Sequence, residues 1–280
     1  MTSPLSRKVF DRLKGGLRYA GLLWRYQLPV FALAVLTCWY LSISFWWLAV
    51  LAPISLLASE VIRHIAQTRM FGPVIHRVET DEPMVALTFD DGPNPPYTGH
   101  LLKTLRRHGA KATFFVIGRL VEQSPETVKE ILADGHQVGN HSYHHRPMIG
   151  KTPFGVASEI KRCDRLLESL GCPPGIVFRT PFAAQFLSVP FVLALQKRAN
   201  IMFDVSPRDW ELTNAKKIAK RVLEGVSPGS IVRLHDGGGN RSATCKAVDI
   251  IARELIKRGF RMVTVETLMA ARTVPLQSAS

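Results

Sequence analysis

Two carboxylates stand side by side in Thr88-Phe89-Asp90-Asp91-Gly92, at the end of an apolar run that begins at Met84, and His141-Ser142-Tyr143-His144-His145 follows downstream. Adjacent carboxylates in a partly dry site repel, so one takes up a proton or a cation neutralises the pair. Histidines four apart can supply the cation's other ligands. On a helical turn His141 and His145 share one face, about 5–6 Å apart at their Cβ atoms. Asp91, His141 and His145 then form a two-histidine, one-carboxylate site with an open position, as hydrolytic zinc enzymes require. Asp90 is left free to act as a base. Taken singly, an Asp-Asp-Gly segment is more often a turn and a spaced histidine pair more often a surface pair. Their occurrence together and in this order gives them weight.

Further segments continue the pattern: Arg179-Thr180-Pro181-Phe182, then Asp209-Trp210, then Leu234-His235-Asp236 followed by three glycines. Together with the first two segments they resemble, in order and across residues 84–270, the NodB-homology domain of the polysaccharide deacetylases, carbohydrate esterase family 4. The resemblance implies hydrolysis of N-acetyl groups on amino sugars in a glycan such as peptidoglycan, a chitin-like oligomer or a lipid-linked surface glycan. It implies a divalent metal on Asp91, His141 and His145, zinc being the expected ion and other divalent ions also compatible. Asp90 would accept a proton from water, and Arg179 would pair with Asp90 and keep it ionised. His235 would be the general acid, oriented and raised in pKa by Asp209. Trp210 and Leu234 would wall the acetyl methyl, and the Phe182 backbone N–H would serve the oxyanion. One departure stands out: the family's Tyr-Gly is replaced by Phe182-Ala183-Ala184, which bears on substrate contacts more than on chemistry. His144 and Asp236 match no required role and are read as structural. An O-acetyl esterase on the same site and a catalytically silent glycan-binding protein are the alternatives.

These residues need elements to position them. Strand-like stretches at 84–89, 112–117, 136–139, 176–178, 201–205, 230–234 and 261–265 alternate with helix-like ones at 99–108, 124–133, 154–170, 190–198, 215–224 and 243–258. Ser124-Pro125 marks one helix start with a capping serine and a first-turn proline. Such alternation predicts βα units around a parallel sheet, and the family resemblance makes it an irregular (β/α)7 barrel. Asp90, Asp91, His141, Arg179, Asp209 and His235 all fall at or just beyond the C-terminal end of an expected strand, the face where catalytic groups converge in βα barrels.

The chain has 280 residues and a net charge of +14. In residues 1–27, Arg7, Lys8, Arg12, Lys14, Arg18 and Arg25 face only Asp11 and interleave with apolar side chains, which reads as an amphipathic arm on an anionic membrane. Residues 28–59 carry no charge, and about 20 apolar residues span a bilayer, so this stretch reads as a retained anchor in contact with membrane lipid. The expected location is the cell (inner) membrane. A single span places the catalytic domain outside the cytoplasm, while a hairpin returns it inside. Residues 60–82 read as linker, 83–272 as the deacetylase domain and 273–280 as tail. No groove-reading motif accompanies the charge, so nucleic acid is not an expected partner. Cys38, Cys163, Cys172 and Cys245 show no CxxC or zinc-ligand spacing. The oligomeric state is left open.

Overall fold

The computed structural model describes residues 73–184 and 188–273, together with Trp46, Pro53 and Ile54. The basic arm, all but those three residues of the 28–59 stretch and the end of the tail lie outside the described residues. Among the described residues no helix is long and apolar enough to cross a membrane. The longest of them, Pro153–Ser169, carries Glu159, Lys161, Arg162, Asp164 and Arg165 and buries only one face. The expected membrane location is corrected on this finding.

Along the chain the elements are β1 (Val74–Ile75), β2 (Met84–Gly92), α1 (Pro95–Arg107), β3 (Ala112–Val116), α2 (Gly118–Gln123), α3 (Pro125–Ala133), β4 (Gln137–Asn140) and α4 (Pro153–Ser169). They continue with α5 (Ser188–Leu195), β5 (Asn200–Ile201), α6 (Ala215–Gly225), β6 (Ile231–His235), α7 (Ser242–Lys257), β7 (Arg261–Met262) and α8 (Val265–Ala270). The strands pair in parallel, in the order β4-β3-β2-β6. Single-residue bridges carry the ring onward, from Asn140 to Phe178, from Phe178 to Asn200, and from Val205 back to Val232 on β6. The barrel is therefore closed and irregular.

Strand alternation divides this ring into two faces. Val85, Leu87 and Phe89 of β2, Phe114 of β3, and Val232 and Leu234 of β6 lie in the large core shared with the helices. Ala86, Phe115 and Ile231 belong to a second, smaller core with Ile75, Val78 and Ile201. Buried on both faces, the strands read as nearly unbroken apolar runs, as parallel sheets require. Where β2 reaches the end of the barrel, the inward positions turn polar. Asp90 registers with Phe115 on one side and His235 on the other.

Several expectations are corrected. The stretches 176–178 and 201–205 shrink to a bridge at Phe178 and the pair β5, and in the second the carbonyls of Ile201 and Met202 are taken by the Arg179 side chain. The last strand stops at Met262, since Thr264 caps α8 by accepting from the Thr267 N–H at 3.1 Å. It pairs with the start of β2. Residues 74–78, assigned to the linker, belong to the fold: β1 pairs with β5, and Ile75 and Val78 are buried. Ser124 does stand at the N-cap of α3, but its side chain makes no capping hydrogen bond.

Leu234 is also corrected. Its side chain is fully buried in the helix-facing core, on the opposite face of β6 from His235, and does not wall the site. Leu234→Ala is expected to lower folding stability by about 2–5 kcal/mol, the usual cost of a Leu-to-Ala cavity. Urea denaturation checks this; an unchanged midpoint with a raised KM would return Leu234 to the substrate.

Candidate metal and catalytic site

Asp90 is buried at the end of β2 and meets Arg179, which is buried too, at 2.7 Å between Nη1 and Oδ1. Arg179 makes three further hydrogen bonds: Nη1 also reaches Thr88 Oγ1 at 2.7 Å, Nε donates to Ile201 O at 2.8 Å and Nη2 to Met202 O at 2.9 Å. Its guanidinium lies 4.1 Å from the centre of the Phe115 ring. Burial alone pushes the Asp90 carboxyl up, yet Arg179, helped by His141, His235 and Arg233, holds it below the usual carboxylate range. Asp90 is an ionised carboxylate with one oxygen already occupied.

Asp91 follows with φ of 72°, a left-handed backbone that turns its side chain away from that of Asp90. Its Oδ1 stands 3.0 Å from His145 Nε2 and 3.6 Å from His141 Nε2. One ligand atom from each of these residues lies within 4.8 Å of the others. The His141 Nδ1 is 2.8 Å from the carbonyl of Arg179, so that nitrogen carries the proton and the Nε2 lone pair faces Asp91. Burial pushes His141 below the ordinary histidine value, although Asp90 and Asp91 pull the other way. Burial also opposes ionisation of Asp91, but its hydrogen bond to His145 and the charges of both histidines hold it well below the carboxylate range. Neutral imidazole and ionised carboxylate are the forms that ligate, so this donor set fits a divalent ion.

The two histidines do not sit on a helical turn. Ser142 and His145 have φ of 67° and 54°, and residues 141–145 form a loop whose ring centroids at His141 and His145 are 5.0 Å apart. Local hydrogen bonds impose this path. Asn140 Oδ1 accepts from Ser142 N at 2.7 Å, and Ser142 Oγ accepts from His145 N at 3.0 Å. Helix α4 grips the loop from behind: Glu159 accepts from His144 N at 2.9 Å and lies 3.0 Å from His144 Nδ1, while Asn140 Nδ2 donates to Ile160 O at 2.9 Å. Asn140 and Glu159 were not singled out from sequence. A short polar residue just before a ligand is a signal for the first, and the second has none.

On the other side of Asp90, His235 Nδ1 lies 2.8 Å from Asp209 Oδ1. Asp209 is buried, and its Oδ2 accepts from the His235 backbone N–H at 3.0 Å and from Thr244 Oγ1 at 2.8 Å. This fixes the ring and leaves Nε2 for the site. The Trp210 ring meets His235 edge-on at 5.0 Å, and the Phe182 ring meets His145 at 4.5 Å. Both aromatics are exposed. Phe182 and Ala183 have φ of 58° and 54°, and the Phe182 N–H donates to no acceptor among the described residues.

The loop after His235 closes over Asp91. A Cβ on Gly237 would lie 1.8 Å from the Asp91 carbonyl oxygen, and one on Gly238, at φ of 71°, 2.9 Å from Asp91 Oδ2. Arg241 pins this loop through Nε to Gly237 O at 2.6 Å and Nη2 to Gly238 O at 2.8 Å. Asp236 lies fully buried beneath it. Thr98 donates to its Oδ2 at 2.5 Å, and its Oδ1 has no partner among the described residues. Burial pushes this carboxyl from 3.8 to about 7, against the Thr98 hydrogen bond and with the nearby Asp91 charge. The folded state therefore keeps a proton that the unfolded chain releases, and this group lowers stability as pH rises from about 4 to 7. In metal-free protein, Asp236→Asn is expected to gain stability relative to the original chain over that window. Urea titrations at about pH 4 and 7 check it; an equal difference at both would contradict it.

Residues 77–211 match the polysaccharide deacetylase family. The chain is 35% identical over 209 residues to a peptidoglycan-N-acetylglucosamine deacetylase of Bacillus cereus, covering 71% of this chain and 93% of that protein. It is 33% identical over 202 residues to a chitooligosaccharide deacetylase of Azorhizobium caulinodans, covering 66% of this chain and 94% of that protein. Among solved structures, a peptidoglycan N-acetylglucosamine deacetylase in complex with a substituted N-oxidanyl-benzamide superposes with a TM-score of 0.67 at 29% identity, over 72% of this chain and 95% of that chain. With the site geometry already described, these matches show that the chain belongs to the polysaccharide deacetylases of carbohydrate esterase family 4 and is a hydrolase of carbon–nitrogen bonds.

Proposed function

We propose that this protein is a divalent-metal-dependent N-deacetylase of glycans containing N-acetylated amino sugars, peptidoglycan-like or chitin-like, releasing acetate and a free amino sugar. The observation that carries the reading is the division of labour between adjacent carboxylates: Asp90 is bound to Arg179, while Asp91 faces two imidazole nitrogens. The names of the relatives support the same substrate classes.

Asp91, His141 and His145 would hold the ion, and zinc suits this borderline donor set, with other divalent ions compatible. Bound there, a divalent ion supplies Lewis acidity to the amide carbonyl and lowers the pKa of water. Arg179 occupies Asp90 Oδ1, so Oδ2 takes the proton of the attacking water. His235 gives its Nε2 proton to the departing nitrogen, while Asp209 holds Nδ1–H and stabilises the imidazolium. The Phe182 N–H is a donor for the developing oxyanion, and the Phe182 and Trp210 rings flank the acetamide. The catalytic unit takes in 83–272 together with the β1 segment.

Asp90→Asn should lower acetate release from N-acetylglucosamine oligomers by about 10²–10⁴-fold, the range for losing a general base, and leave bound zinc near one per chain. Wild-type turnover in that variant would sink the reading. Chelation should abolish release and added zinc restore it; release that survives full metal removal would equally contradict the proposal.

A further inference from the structure

Asp164 and Arg198 have no part in the reaction as derived, yet they reach the candidate metal site through one buried amide. Asn140 ends β4 just before His141, and the two ends of its side chain do different work. Oδ1 accepts from the Ser142 N–H at 2.7 Å, where the backbone turns left-handed, and Ser142 Oγ accepts from the His145 N–H at 3.0 Å. Nδ2 donates to Ile160 O at 2.9 Å and to Asp164 Oδ1 at 2.7 Å. Ile160 and Asp164 lie one turn apart on α4, so both face the end of β4. Arg198, which follows α5, forks onto Asp164: Nη1 donates to Oδ2 at 2.7 Å and Nη2 to Oδ1 at 3.1 Å. Both side chains are largely withdrawn from water.

We propose that Asp164 is a positioning residue of the metal site, holding His145 in place for the ion by fixing which way round the Asn140 amide lies. The inference rests on the metal-dependent reading above and extends it to α4. An amide turned over keeps its shape but exchanges donor for acceptor. A carboxylate only accepts, so the NH2 end is the one that fits beside Asp164, and the amide oxygen is left for the Ser142 N–H. Reversed, Asn140 would set its oxygen against Asp164 and the Ile160 carbonyl, and its NH2 against another N–H. Arg198 matches the Asp164 charge and, by its fork, fixes the plane of the carboxylate. The Asn140 backbone is fastened separately, its N–H to Val177 O at 2.8 Å and its carbonyl by the Arg179 N–H at 3.0 Å. Loss of Asp164 therefore loosens the turn from Ser142 to His145. It leaves His141 in place, with its own N–H on Val116 O at 2.9 Å and its Nδ1–H on the Arg179 carbonyl.

The test compares the original full chain with Asp164→Ala, Asp164→Asn and Asp249→Ala. Asp249 on α7 is the control, likewise a half-buried carboxylate bound to an arginine, Arg253, at 2.6 Å. Zinc affinity is read by competition with a chromogenic chelator, and urea midpoints report stability. Asp164→Ala should raise the zinc Kd by about 10–100-fold, the range for groups that orient metal ligands. Asp164→Asn, which can still accept from Asn140 but sets an NH2 against Arg198, should raise it by a smaller factor, and it carries the test if Asp164→Ala does not fold. Asp249→Ala should leave the Kd unchanged whatever it does to the midpoint. Metal-free protein gives a reading independent of the ion: in the Asp164 variants, amide exchange at Ser142 and His145 should quicken by about tenfold or more, while the His141 amide stays protected. A zinc Kd unchanged in both Asp164 variants, or raised equally in Asp249→Ala, would overturn the proposal. Should the original chain bind no zinc, the metal reading fails separately and amide exchange decides. Protection lost at Ser142 and His145 alone supports the role of Asp164; protection kept at both, or lost equally at His141, contradicts it.

Discussion

A guanidinium buried at the mouth of a barrel is several kcal/mol more costly than one in water, and it persists only if its charge and its donors are matched. Arg179 meets that condition with the Asp90 carboxylate, the Thr88 hydroxyl and two backbone carbonyls, and with the face of Phe115 beneath it. Its own carbonyl accepts a hydrogen bond from the His141 Nδ1–H. One residue thereby fixes both the ionisation of Asp90 and the tautomer of His141, a candidate metal ligand. Removing one partner of such a pair typically costs about 3–5 kcal/mol, because the other charge is left buried. The two halves of the site are therefore coupled through Arg179.

The strands place these groups by simple alternation. On β2 and β6 the side chains of Val85, Leu87, Phe89, Val232 and Leu234 join the core under the helices, while Thr88, Asp90, Arg233 and His235 alternate with them near the barrel end. Stability and chemistry share the same strands without sharing side chains. The costs are local. Asp236 is a buried carboxyl with one unpartnered oxygen, and the glycines beside it leave no room for a Cβ against Asp91.

Much of this was legible in the sequence, because the informative residues are chemically uncommon in combination. Asp90, Asp91, His141, His145, Arg179, Asp209 and His235 converge at one end of the barrel as their positions after strand-like runs implied. The failures have physical causes. A spacing of four suggested a helical turn, but Asn140 and Ser142 side chains direct a loop with left-handed residues, and their partners on α4 are distant in sequence. Leu234 was chosen because it adjoins His235, whereas a period of two puts Arg233 on the site-facing side. In the stretch 201–205 Arg179 claims two carbonyls, a tertiary effect that no local pattern carries. The apolar stretch at 28–59 is plain in the sequence but, save Trp46, Pro53 and Ile54, lies outside the described residues, among which no helix is long and apolar enough to cross a membrane.

The proposed function depends on neighbouring carboxylates with separate jobs, Asp91 to bind the ion and Asp90 to pair with Arg179. Anomalous diffraction at the zinc edge from crystals of the zinc-loaded protein tests it most directly. One ion is expected, with Asp91, His141 and His145 as its protein ligands and Asp90 still paired with Arg179. An ion ligated by Asp90, or one centred away from both histidines, would contradict it.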